Sequence, residues 1–60
     1  MTALEIKRRN AGLSIAELAQ KSGVSAPTIV KIEAGRIGPV KVDTLQKLAD
    51  ALNCTVADFL

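Results

Sequence analysis

The sequence predicts an all-α fold, a single five-helix domain over residues 1–60, on three observations. The stretch from Ser14 to Gly35 reads as two short helices joined by a tight turn, each opening on a capping residue and each ending on a glycine. Apolar residues recur at spacings of three and four both there and in the C-terminal third. Apolar content is 48%, yet Phe59 is the one aromatic residue, so the core must be built from Leu, Ile, Val and Ala, which suits closely packed helices. A domain of this size buries only about 60% of its unfolded surface, so its stability is a few kcal/mol at most.

Taken in order, Thr2 can cap a first helix over residues 3–11, with Leu4 and Ala11 inward, Lys7, Arg9 and Asn10 mostly outward, and Gly12 ending it. The second helix opens on Ser14, whose hydroxyl can accept from the N–H of Glu17 while the Glu17 carboxylate reaches back to the N–H of Ser14, a capping box. Ile15, Leu18 and Ala19 form its apolar side, and Gly23 can take the positive φ that ends it. Ser25 is the N-cap of the third helix, Pro27 falls in its first turn where no intrahelical N–H partner is lost, and Gly35 is its stop. At 100° per residue, Ile29, Ile32 and Glu33 share one face of that helix, and Pro27, Lys31 and Ala34 the opposite one, with Thr28 and Val30 on the flanks.

About two residues separate these helices, so they must cross at a large angle, the geometry of a helix-turn-helix. Leu18, Ala19, Gly23, Val24, Ile29 and Ile32 meet the requirements of that angle: small where the helices approach, glycine at the turn, apolar between them. Arg36 to Lys41, RIGPVK, is a loop by its Gly38 and Pro39. In the fourth helix Val42, Leu45, Leu48, Ala49 and Leu52 point inward, Asp43 favours the N-terminal end and Asn53 is a left-handed stop. Thr55 caps a last short helix with Asp58 as its capping-box-like partner, and Val56 and Phe59 face inward.

Composition narrows the chemistry. Cys54 is the sole cysteine and there is no histidine, so neither an internal disulfide, a metal site nor a bound cofactor is expected. Ser14 and Ser25 are explained as caps and no nucleophile–base pair or phosphate-cradling glycine loop exists, which argues against an enzyme. The N-terminus lacks a signal-peptide core and no stretch approaches the roughly 18 apolar residues of a membrane span; a soluble, cytoplasmic protein with no membrane partner is expected. Charge is unevenly placed: seven basic against three acidic residues over 1–41, and one against three over 42–60. The net is +4 in the helix-turn-helix half and −2 in the remainder, the asymmetry a nucleic-acid footprint needs.

Four segments together carry a family resemblance: L-S-x-x-E-L-A-Q at 13–20, G-V-S at 23–25, I-x-x-I-E-x-G at 29–35 and T-L-x-K-L-A-D-A-L at 44–52. From Leu4 to Leu60 the chain resembles the Cro/CI-type, or XRE-like, helix-turn-helix regulators of phages and bacteria. The resemblance implies that Arg8 and Glu33 pair to tie the first helix to the third. It also implies a cytoplasmic bacterial or phage-encoded repressor that binds double-stranded DNA as a homodimer on a palindromic operator, its third helix in the major groove. Base contacts would come from Ala26, Pro27, Thr28 and Lys31, and phosphate contacts from Ser14, Gln20, Lys21, Ser25, Arg36 and Lys41. Relatives often carry two or more amide or guanidinium side chains where this chain has Ala26, Pro27 and Val30, so specificity rests on methyl contacts, on Lys31 or on DNA shape. Two further departures are Ile15, where a polar phosphate-contacting residue is common, and Ser22, where an apolar one is usual.

The expected dimer surface is the last helix and the preceding loop, with Phe59, Leu60 and Val40 as candidates, although Phe59 is better explained as completing the core. A rival reading takes Pro27, Val30, Ala34, Ile37 and Val40 as an apolar patch for another protein, making the chain a helical interaction module, antitoxin-like for example, that does not read DNA.

Overall fold

A computed structural model describes residues 2–36, 38 and 40–59. It contains α1 (Ala3–Asn10), α2 (Ile15–Ser22), α3 (Ala26–Glu33), α4 (Val42–Ala51) and a closing 3₁₀ turn, Val56–Phe59. The expected fifth α-helix is therefore a single 3₁₀ turn. Four residues are too few for an i→i−4 ladder, and the turn closes instead through the Asp58 N–H on the Thr55 carbonyl at 3.0 Å.

Both caps predicted for the first two helices form. Thr2 Oγ1 accepts from the N–H of Glu5 at 3.4 Å, Ser14 Oγ accepts from the N–H of Glu17 at 3.0 Å, and Glu17 Oε1 accepts from the N–H of Ser14 at 2.9 Å. Ala11, expected inward, is exposed: it is the C-cap of α1, and the chain leaves the helix axis before its methyl group reaches the interior. Gly23 ends α2 at φ 77°, in the left-handed region, with its N–H on the Ala19 carbonyl at 2.9 Å. Ser22 has a local use, since its hydroxyl accepts the N–H of Val24 at 3.1 Å inside the turn.

The third helix starts differently from expectation. Ser25 occupies the N-cap position but its hydroxyl caps no backbone N–H; it is hydrogen-bonded to Thr28 Oγ1 at 2.8 Å. At the other end Gly35, at φ 84°, lets the Arg36 N–H return to the Lys31 carbonyl at 2.9 Å, closing a Schellman motif that fixes the exit of α3. In α4, Leu45, Leu48 and Ala49 are buried, whereas Val42, expected inward, is 70% exposed. Val42 is the first residue of the helix, one turn beyond the apolar stripe that α2 and the 3₁₀ turn cover. Asn53 takes the left-handed stop at φ 53°.

The core lies where α2 packs on both α3 and α4, with α1 and the 3₁₀ turn closing it from the other side. Leu4, Leu18, Ile29, Ile32 and Leu48 are its fully buried centre. Phe59 is buried in the same cluster, which removes it as a dimer-surface residue; Val40 packs partly buried against the core, and Leu60 and Ile37 lie outside the described residues. Among the described residues no helix is long and apolar enough to cross a membrane.

Candidate nucleic-acid interface

Packing of Ile29 and Ile32 inward leaves Pro27, Val30, Lys31 and Ala34 exposed along the outer face of α3, with Ala26 and Thr28 half-buried at its edges. This is the division the 100° spacing predicts. The single acidic residue of α3, Glu33, is turned away from that face: Arg8 Nε donates to Glu33 Oε2 at 2.7 Å and Arg8 Nη2 to Glu33 Oε1 at 3.1 Å, with both side chains about 10% exposed. The pairing is bidentate, and the hydrogen bond to Glu33 is the main reason the Arg8 pKa lies above its ordinary value. Arg8 Nη1 also donates to the Leu13 carbonyl at 2.9 Å, so one guanidinium ties α1, the turn before α2, and α3 together. That third contact was not visible in the sequence, because a backbone carbonyl carries no residue-specific signal.

The remaining charges reinforce the asymmetry. Arg9 is paired with Glu5 at 2.9 Å on α1, whereas Lys21, Lys31, Arg36 and Lys41 are exposed and form no salt bridge among the described residues. Of the unpaired cations, Lys31, Arg36 and Lys41 are brought together beside α3, and the one acid of α3 is held on its inner side by Arg8.

Between α3, the loop and the start of α4 lies an open cleft of about 370 Å³ lined by Thr28, Lys31, Arg36, Val40, Lys41 and Thr44. Three cations and two hydroxyls in one concavity match the requirements of an anion. The sequence reading holds Thr28, Lys31, Arg36 and Lys41 as candidates but misses Thr44, the third residue of α4, which reaches the same wall only because α3 and α4 both pack on α2. Gln20, Ser14 and Ser25 are exposed outside this cleft.

At the start of α2 the capping box consumes the Ser14 and Glu17 amides, leaving those of Ile15 and Ala16 without an intramolecular partner. At the start of α3 the Ser25–Thr28 hydroxyl pair leaves the Ala26 and Thr28 amides without a side-chain cap. Both helix starts therefore retain donors for an incoming anion.

Comparison with known proteins adds one finding. A family model described as helix-turn-helix matches residues 4–59. No curated protein and no solved structure matches the chain significantly.

Proposed function

The chain belongs to the XRE-like, Cro/CI-type helix-turn-helix family of DNA-binding transcription regulators, and on that premise we propose that it is a repressor that binds a palindromic operator as a homodimer and acts by occluding a promoter. In this reading α3 lies in the major groove with Ala26, Pro27, Thr28 and Lys31 at base edges. Ser14, Gln20, Lys21, Ser25, Arg36 and Lys41 hold phosphates on either side, helped by the free amides at the start of α2. Thr44 joins this group through the cleft it shares with Arg36 and Lys41.

The observation that carries the reading is the arrangement of charge beside α3: Lys31, Arg36 and Lys41, exposed and without salt-bridge partners among the described residues, line one cleft with Thr28, while Glu33 is held on the inner side by Arg8. A protein-binding face would not require that cationic cleft.

Selection of bound duplexes from a randomised DNA library at near-physiological salt tests the proposal. The expected result is an enriched palindrome with half-sites about 34–36 Å apart. A single enriched half-site would overturn the dimer. No enrichment by protein shown to be folded would overturn DNA reading and leave the apolar face of α3 as a surface for a protein partner.

A further inference from the structure

The outer face of α3 is poor in groups that can read a base edge by hydrogen bonding. Lys31 is exposed there, and Thr28, half-buried at the edge with its hydroxyl hydrogen-bonded to Ser25 Oγ at 2.8 Å, is the one other polar side chain beside it. The crest itself is apolar: Pro27, Val30 and Ala34 are exposed, Val30 by 50%. Lys31, Arg36 and Lys41, all exposed, line the cleft beside this crest. An apolar ridge beside a cationic cleft is complementary to a polyanion that itself presents apolar groups. Among the four bases of DNA, the major groove offers one, the C5 methyl of thymine.

Resting on the reading of α3 as the groove-binding helix, we infer that this protein reads its half-site chiefly through thymine methyl groups, with Pro27 and Val30 as the specificity-determining side chains and Lys31 adding one polar contact. Proline and valine are suited to this: neither can hydrogen-bond through its side chain, and both are stiff, so little rotamer freedom is lost on contact. The same chemistry extends to 5-methylcytosine, whose methyl group occupies the equivalent position in the major groove.

The test uses the duplex obtained by selection and measures Kd by fluorescence anisotropy after each thymine in turn is replaced by deoxyuridine, which removes the methyl group and keeps the pairing edge. Each methyl buried against α3 should account for about four-fold in Kd, the ~0.8 kcal/mol of one buried carbon group. Replacing the same T·A pair by 5-methylcytosine·G should retain more affinity than replacing it by C·G. Val30→Thr keeps the side-chain shape at a half-exposed position, so circular dichroism should show an unchanged fold. Threonine keeps one of valine's two methyl groups, so this variant should bind the thymine duplex more weakly and show a smaller uracil effect at one position. Equal affinity for thymine and uracil duplexes at every position, or a selected site without thymine opposite α3, overturns the inference while leaving DNA recognition intact. Failure to prefer any duplex overturns both together.

Discussion

Lys31 stands at the boundary between two kinds of ligand, exposed on the α3 face yet lining the cleft with Arg36 and Lys41. If it donates to guanine, Lys31→Ala should cost about 1–3 kcal/mol at one base pair and leave other positions unaffected. A uniform loss over all sequences, with a salt dependence smaller by about one unit of slope per copy and so about two for a dimer, would assign it to a phosphate. Unchanged affinity in a titration series over single base-pair variants would refute both roles. Arg8 offers a contrasting residue-scale case, because its function is internal. Arg8→Met alone strands the Glu33 carboxylate at a site about 10% exposed, and a loss of roughly 3 kcal/mol is expected, a large share of what so small a domain has. Arg8→Met with Glu33→Leu should restore much of the lost stability in urea unfolding, since no charge is then left unpaired. A double variant no more stable than the single one would show that the Leu13 carbonyl contact, not the ion pair, carries the effect.

The helices owe their limits to short-range chemistry, and for that reason their limits were legible. Ser14 and Glu17, Thr55 and Asp58, Gly23 and Asn53 each act within three or four residues of themselves, so sequence spacing determines their geometry. Contacts spanning the fold were less legible. Val42 fits the apolar spacing of α4 but lies beyond the elements that cover the helix, Ser25 prefers the Thr28 hydroxyl to a backbone amide, and Thr44 reaches the cleft only through packing. Two predictions belong to the helix ends. The Glu17 and Asp58 carboxylates accept the backbone N–H of Ser14 and Thr55, at 2.9 and 3.0 Å, and chiefly for that reason both pKa values lie below the ordinary range. Their contribution is therefore complete above the unfolded-state pKa, about 4, and is lost as pH falls through the lower folded-state values. Melting followed by circular dichroism should give a falling Tm below about pH 4, and Glu17→Gln with Asp58→Asn should lower Tm at pH 7 while converging on the parent protein in acid. At Gly23, nothing lies within 4 Å of where a Cβ would sit, so the penalty for a side chain is purely that of φ 77°. Gly23→Ala should cost about 1 kcal/mol, roughly 5 °C in Tm, and Gly23→Val more, whereas Gly23→Asn should cost less. A Gly23→Val variant with the parent Tm would show the turn to be tolerant of β-branching.

At the scale of the whole molecule, size and charge constrain how two copies meet DNA. The described residues span 26 × 21 × 21 Å, so two copies in contact have centres closer than the 34–36 Å between half-sites one helical turn apart. In the proposed dimer each α3 would therefore stand about 5 Å outboard of its domain centre, with the contact between copies on the opposite side. Salt dependence then counts the copies. With Lys31 assigned to a base, Lys21, Arg36 and Lys41 leave three phosphate-binding cations per copy, and log K should fall against log salt with a slope of about −5 for a dimer and about −3 for a monomer. Removing one of the three, as in Lys41→Ala, takes a cation from both half-sites at once and should flatten the dimer slope by about two units, against about one for a monomer. The two results come from the same anisotropy titrations between low and physiological salt. A slope of about −3 that flattens by about one on this substitution would overturn the dimeric mode of binding while leaving the role of the exposed cations in place.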